Sequence, residues 1–361
     1  MKKTVLNGIS LFGNENFGIR RYTQEILKEL DSMLEPGELE IAVEKIDDTC
    51  VQYKNIKLVK LGSFVEGEKK KFLSATRWVN FELRDYVAKN NAVSFDSQLI
   101  FPFWGCDIIA IHDCIPELFP EMYDTRGKKL GRAFLLLRQK VATRKCKLLI
   151  TPSEFSKKDI EKFYNLPADK ISVIPNAWQH FERIAEDADV LHRYGLEKGG
   201  FFFSLGSRSY HKNARWILAA AEKNPNELFV VTGAAPGGVD SEAESNTLKN
   251  VIFTGYLSDE EIKALMHYCK AFIQPSLYEG FGIPPMEAMS VGANCIVARA
   301  GSLPEVYKDS VWYIDPLDYE NINLEEIMSR PKADNSLILE EYSWRKSAEK
   351  MLALLRTLST K

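Results

Sequence analysis

The chain has 361 residues, 45% of them hydrophobic and 27% charged, with a formal net charge of -3. That composition can bury a core large enough for two domains, and no run approaches the ~18 apolar residues of a membrane-spanning helix. Six cysteines, at 50, 106, 114, 146, 269 and 295, form no C-x-x-C pair and no cluster with histidine, so neither a zinc module nor a disulfide framework is indicated and the thiols fit a reducing cytoplasm.

The start M-K-K-T-V-L-N-G lacks the features of a secretion signal, because Asn7 and Gly8 interrupt the apolar stretch and no small-residue cleavage site follows. Residues 1–180 carry 28 Lys+Arg against 24 Asp+Glu, and the rest 19 against 26, so the first half is the one suited to an anionic partner. No nucleic-acid partner is expected.

Taken in chain order, Gly13 and Gly18 flank N-E-N-F, a glycine-bounded loop suited to closing over a ligand or simply to turning at the surface. A helix is predicted over Gly18–Leu30, with apolar residues at Ile19, Tyr22, Ile26, Leu27 and Leu30. Strands are predicted at Q-L-I-F-P-F (98–103), D-I-I-A-I-H (107–112), K-L-L-I-T-P-S (147–153) and K-I-S-V-I-P-N (170–176), with a helix from Ser156 to Tyr164. His112 ends the second of these strands. It is either a structural histidine bonded to a neighbour such as Asp113 or a ligand group.

From Thr125 to Ser153 there is no acid, while Arg126, Lys128, Lys129, Arg132, Arg138, Lys140, Arg144, Lys145 and Lys147 interleave with Phe134, Leu135, Leu136, Leu137 and Val141. That pattern suits an anionic lipid surface or a pyrophosphate-linked acceptor, and equally a solvated helix with its apolar side in the core. The polar stretch Gln179–Gly200 links two sheets. Its Asp187-Ala188-Asp189 pair does not end a strand and is not expected to hold a metal.

The second half repeats the alternation, with strands at F-F-F-S-L-G (201–206), E-L-F-V-V-T-G (227–233), N-V-I-F-T-G (250–255), A-F-I-Q-P-S (271–276) and N-C-I-V-A-R (294–299). After about Asp315 the strand pattern stops, and an amphipathic helix follows over Trp344–Leu358. The expected fold is α/β, with two doubly wound parallel sheets facing a cleft and ligands beyond the carboxyl ends of the strands. Expected boundaries are 1–178 for the first domain, with the helix of 344–361 packing back on it, and 179–343 for linker and second domain.

The stretch Y-E-G-F-G-I-P-P-M-E-A-M-S-V-G, Tyr278–Gly292, carries the sharpest chemical signal. Gly280 and Gly282 permit a tight turn that exposes backbone N–H groups, and Pro284 or Pro285 suits the first position of a helix running to Val291. Anions favour such an end, whereas Glu279 and Glu287 accept bonds from hydroxyls. Acidic residues in a first helical turn also occur for the dipole alone.

This stretch, followed by G-S-L-P-E-V, resembles the donor-site signature of glycosyltransferase family 4, the retaining glycosyl transferases of group 1 with the GT-B fold. G-I-R-R-Y-T-Q-E-I-L (18–27), A-I-H-D-C-I-P-E-L-F-P-E (110–121), T-P-S-E-F-S, V-I-P-N-A and S-L-G-S-R-S-Y-H-K-N-A (204–214) are similar to further segments of that family, as is F-T-G-Y-L-S-D-E-E (253–261), the strand end that receives the base. The resemblance implies a retaining, metal-independent glycosyltransferase moving sugar from a nucleotide-sugar donor to a saccharide or lipid-linked acceptor, in cell-surface polysaccharide synthesis, cytoplasmic or peripheral at a membrane. It implies donor contacts at Gly206, Ser207, Lys212, Tyr256, Leu257 and Glu279 to Ile283 (Glu279, Gly280, Phe281, Gly282, Ile283), with Glu287 on the ribose. Lys212 and Arg208 would meet the diphosphate, and His112 with Asp113 and Gly18 would lie on the acceptor side.

Chemistry gives Lys212 an independent reason, since departure of a nucleoside diphosphate builds negative charge that a fixed cation stabilises most in the transition state. His112 is a poor general base, because in front-face retaining transfer the departing phosphate can take the acceptor's proton. No cofactor and no metal are expected. A sugar-nucleotide epimerase, a phosphorylase or a catalytically silent glycan-binding relative stay open as alternatives on the same fold.

Overall fold

The computed structural model describes residues 2–9, 11–12, 18–48, 50–62, 68–97, 101–206, 209–233 and 248–359, and within 68–73 the backbone only. The chain forms two compact units, Met1–Asn176 with Trp344–Lys361, and Ala177–Ser343.

The first unit is built on seven strands, β1 Thr4–Asn7, β2 Leu39–Val43, β3 Lys57–Lys60, β4 Val93–Asp96, β5 Ile108–Ala110, β6 Leu148–Thr151 and β7 Ile171–Val173. Their spatial order is β3-β2-β1-β4-β5-β6-β7 and every pairing is parallel. Strands β1, β2, β4, β5 and β6 are buried along their whole length, as in a parallel sheet covered on both faces. The strand predicted at Q-L-I-F-P-F is displaced: β4 lies just before it, Phe101–Phe103 are not strand, and residues 98–100 fall outside the described ones. Pro102 cannot donate to a ladder, which fits its place past the strand end.

The helix Trp344–Ser359 belongs to this unit. Trp344 is 1% exposed and meets Tyr22 edge to face at 6.0 Å, while Ser347 Oγ donates to the Pro175 carbonyl at 2.8 Å and Lys2 N to the Ser359 carbonyl at 3.1 Å. Both chain ends are thereby fastened to one sheet.

The basic segment is a single helix, Arg126–Lys145, whose first turn is capped by Thr125 accepting from Lys128 N at 3.3 Å. Arg138 corrects the sequence reading. It is 4% exposed, donates from Nε to the Phe101 carbonyl at 2.7 Å and sits 5.6 Å from the ring centroids of Phe103 and Phe134, so it is no part of a basic surface. Conversely Leu130 and Leu137 are 72% and 53% exposed. With 100° per residue, Arg126, Leu130, Ala133, Leu137, Lys140 and Arg144 share one outward face, opposite the buried Gln139, Ala142 and Thr143. The apolar side of this helix is thus divided between core and solvent.

The second unit carries β8 Phe201–Leu205, β9 Leu228–Thr232, β10 Val251–Gly255, β11 Ala271–Gln274, β12 Cys295–Ala298 and β13 Trp312–Ile314 in the order β10-β9-β8-β11-β12-β13, again all parallel. Read from its own first strand this is 3-2-1-4-5-6, the order whose direction reverses between β8 and β11. Phe201, Phe202 and Phe203 are buried with Trp216 on the following helix, Ala214–Lys223, and Phe202 stacks on Phe229 at 5.4 Å. The predicted helix Pro284–Val291 runs Pro284–Ser290, with Val291 as its cap and Gly292 turning out at φ +86°.

Candidate active site

The reversal point of the second sheet brings the ends of β8 and β11 side by side, and the residues that follow these two strands meet there. Gly206 closes β8 where a Cβ would lie 2.5 Å from Val231 Cγ1 and 2.9 Å from the Thr232 carbonyl, so no larger residue fits without movement. Ser207 and Arg208 come next and lie outside the described residues. The chain then makes a tight turn, Tyr210–Lys212, held by Asn213 in the left-handed region at φ +57°. Asn213 Nδ2 donates to the carbonyls of Pro275 (3.0 Å) and Pro316 (2.8 Å), and Leu277 N donates to the His211 carbonyl at 2.7 Å. The loop after β8 is therefore pinned to the loop after β11.

That pinning delivers Lys212 to Glu279. The ammonium is 2.6 Å from Glu279 Oε1, and the same oxygen accepts from Ser276 Oγ at 2.7 Å and Gln274 Nε2 at 2.8 Å. Three donors converge on one carboxylate oxygen; among the described residues none bonds the other, Oε2. Glu279 is 7% exposed. Burial pushes its pKa up, but the Lys212 ammonium, with the Ser276 hydrogen bond, outweighs this and holds the carboxyl below its ordinary value. His211, 8% exposed, is held neutral by burial, with its pKa lowered to about 4.

Behind this carboxylate the backbone is fixed on the far side as well. Ser302 donates to the Glu279 carbonyl from N (3.1 Å) and from Oγ (3.0 Å), and Gly301, at φ +57°, approaches so closely that a Cβ would lie 2.7 Å from Glu279 N. Gly282 turns at φ +82° against Leu303, and its carbonyl accepts from the Tyr307 hydroxyl, which in turn accepts from Met286 N at 3.1 Å. Phe281 packs its ring into the core against Tyr342, edge to face at 5.4 Å. The backbone N–H groups of Phe281, Gly282 and Ile283 have no acceptor among the described residues. Unpaired amides in a largely buried turn are what a bound anion would satisfy.

Glu287 leaves this group and bonds elsewhere: its Oε1 is 2.7 Å from His180 Nε2, and both residues are buried. Tyr256 and Leu257 follow β10, two strands away from β8, with Tyr256 89% exposed and Leu257 half-buried. Sequence reasoning missed His180, Gln274, Ser276, Asn213 and Tyr307 as parts of the site. Gln274 and Ser276 stood at a strand end, where ligand groups gather; nothing in the sequence marked His180.

In the first unit the sheet reverses between β1 and β4. There Asn7 Nδ2 donates to Asp96 Oδ2 at 2.6 Å, and Thr23, on the helix Gly18–Asp31, bonds Ser97 Oγ at 2.9 Å. Gly18 is exposed at the start of that helix; the loop bounded by Gly13 falls outside the described residues. His112, past β5, meets Tyr22 edge to face at 4.9 Å. Burial lowers its pKa to about 4, opposed by a hydrogen bond to the Ser97 backbone. Its Nε2 is buried and bonds nothing among the described residues. Asp113 is not the partner of this ring. Its Oδ1 accepts from Ile115 N at 3.0 Å and shapes the turn.

Two family models match this chain: residues 192–355 match Glycosyl transferases group 1, and residues 107–178 match Glycosyltransferase Family 4. O-antigen chain mannosyltransferase B of Escherichia coli is 32% identical over 214 residues, covering 56% of this chain and 54% of that protein. O-antigen chain mannosyltransferase RfbU of Salmonella typhimurium is 29% identical over 215 residues, covering 58% and 57%. The chain thus spans about half the length of these curated relatives. HepE of Anabaena, solved in complex with UDP-glucose, superposes with a TM-score of 0.67 over 99% of this chain and 100% of that one, at 14% identity, a likeness of fold alone. The two doubly wound sheets give the chain the GT-B fold, and its similarity to the glycosyl transferases of group 1 and of family 4 runs over residues 192–355 and 107–178.

Proposed function

We propose that the protein is a retaining glycosyltransferase that moves a sugar, mannose on its kinship with the O-antigen enzymes, from a nucleotide-sugar donor to a saccharide or lipid-linked saccharide during synthesis of a cell-surface polysaccharide. The observation that carries the reading is the fixed Lys212–Glu279 pair beside three consecutive amides that lack acceptors among the described residues. A nucleoside diphosphate leaving an anomeric carbon gains negative charge; Lys212 and the amides of Phe281, Gly282 and Ile283 supply positive charge that needs no rearrangement as the bond breaks. Glu279, ionised at neutral pH and engaged among the described residues through one oxygen, keeps the second to accept hydroxyls of the transferred sugar. Glu287 accepts the ribose hydroxyls.

His112 is neutral at pH 7. A ring that donates to the Ser97 carbonyl through Nδ1 presents a lone pair at Nε2, suited to accept a hydroxyl of a bound sugar and too weakly basic to keep its proton. We assign it a positioning role, with acceptor binding in the first unit.

Membrane contact is part of this proposal. Arg126, Lys129, Lys140 and Arg144 are exposed and pair with no acid among the described residues, and they border the outward Leu130 and Leu137. An anionic lipid surface would take the leucines among its acyl chains and the cations at its headgroups, each cation contributing about 1 kcal/mol. No helix among the described residues is long and apolar enough to cross a membrane.

The deciding experiment is a thermal-shift panel of UDP-, GDP-, ADP- and dTDP-sugars with EDTA present, followed by NMR assignment of the anomer formed with the donor that binds. A raised melting temperature and a product of unchanged anomeric configuration are expected. A new sugar nucleotide made without acceptor would replace transfer by epimerisation.

A further inference from the structure

The pair His180–Glu287 goes beyond the motif that carries Glu287. We propose that His180 is a positioning residue for the donor nucleotide: by holding one oxygen of Glu287 it sets the plane in which that carboxylate receives the ribose hydroxyls. The inference rests on the ribose role assigned to Glu287 above.

His180 Nε2 lies 2.7 Å from Glu287 Oε1, with the two residues 5% and 6% exposed. Glu287 sits on a helix of only seven residues that begins with two prolines, so the helix itself fixes the Cα but leaves three side-chain torsions to be set. A carboxylate free to rotate would lose that freedom on binding, and a fixed acceptor has already lost it.

The histidine is held far more firmly than a linker residue needs to be. Trp178 Nε1 donates to the Leu339 carbonyl and Gln179 Nε2 to the Tyr342 carbonyl, each at 3.0 Å. The turn that follows, Phe181–Arg183, is gripped by Lys263, whose ammonium lies 3.0 Å from the Phe181 carbonyl and 2.6 Å from that of Ile184. Phe181 itself is 1% exposed in the core of the second unit. His180 is therefore carried on a segment anchored on both sides of it. For Nε2 to donate to the carboxylate it must carry the proton, so the ring presents one defined donor to Glu287.

The test compares binding of UDP and of GDP, each against its 2′,3′-dideoxy counterpart, by calorimetry. In the unaltered protein the ribo form of whichever nucleotide binds should be favoured ~10-fold or more, the loss expected when a buried charged acceptor is left without its hydroxyls. His180→Leu should shrink that preference to below ~3-fold and raise KM for the donor with little change in kcat, the pattern of a lost uniform binding contact. His180→Gln, whose amide nitrogen reaches the place of Nε2, should restore the preference, and His180→Asn, one bond shorter, should not. This last pair keeps the test decisive if the leucine variant melts early. An equal ribose preference in Leu, Gln and Asn variants would overturn the proposal. If the unaltered protein makes no distinction between ribo and dideoxy forms, the ribose role of Glu287 falls and the proposal falls with it.

Discussion

Replacing Lys212 by methionine separates catalysis from stability, because the ammonium acts on two things at once. At 2.6 Å from Glu279 its gross attraction is about 6 kcal/mol at an effective dielectric near 20, before desolvation is counted. The Lys212 side chain is 27% exposed, so the net cost of stranding Glu279 should fall below the 3–5 kcal/mol of a fully buried pair, on the order of 2–3 kcal/mol, because Ser276 and Gln274 still donate to the carboxylate. For a unit of this size that lowers the melting temperature by roughly 5–10 °C. The barrier should rise by about 3–4 kcal/mol, a kcat loss of ~10²- to 10³-fold, as when a preorganised charge-stabilising donor is removed. Adding Glu279→Gln removes the stranded charge. The double variant should regain most of the melting temperature and none of the rate, measured by calorimetry and by steady-state turnover of the donor identified above. A single variant that turns over within ~3-fold of the unaltered enzyme, or a double variant that recovers activity with stability, would refute a chemical role for Lys212 and leave it a structural ion pair.

Gly301→Ala puts a methyl group 2.7 Å from Glu279 N at a backbone φ of +57°, so it should cost about 1–3 kcal/mol and weaken donor binding by displacing Glu279; urea titration and donor KM check both. His112 and His211 have pKa values lowered to about 4, below their unfolded value, so the stability they contribute is complete above about pH 6.5 and lost as pH falls towards 4. Between pH 7 and 5 each should take away on the order of 2 kcal/mol, and His112→Asn should flatten the urea-midpoint profile of its own unit. Leu130→Glu with Leu137→Glu, or charge reversal at Arg126, Lys140 and Arg144 with Arg138 left intact, should abolish co-sedimentation with vesicles rich in phosphatidylglycerol; undiminished sedimentation would assign this face to another partner.

The sequence was most legible where burial on both faces demands an unbroken apolar run. β8, β9, β11 and β12 each open with at least three consecutive apolar residues, and each lies within its predicted stretch. β1 and β4 were missed because their apolar runs are too short: Val5-Leu6 between Thr4 and Asn7 in the first, Val93 and Phe95 separated by Ser94 in the second. Asn7, Ser94 and Asp96 are buried with partners that no local pattern reveals, Asp96 taking Asn7 from 89 positions away and Ser94 taking Asp107. The same limit applied at the site. Glu279 and Lys212 were found through motifs of fixed spacing, whereas His180 reaches Glu287 across 107 positions and Arg138 withdraws from a helix whose composition places it at the surface.

Both sheets put their polar side chains at the place where strand order reverses, and the physical reason is shared. Where neighbouring strands send their chains off to opposite faces, the strand ends are left uncovered by a crossover helix, and a space opens that side chains must line. In the second unit this space holds a compensated charge, Glu279 with Lys212, and a run of donors lacking acceptors among the described residues; in the first it holds the bonded pairs Asn7–Asp96 and Thr23–Ser97 beside a neutral His112. On the function proposed above, the first arrangement would take the donor's diphosphate and the second hydroxyls of the acceptor. The sugar transfer proposed above, from a nucleoside diphosphate to a saccharide, would use one site of each kind.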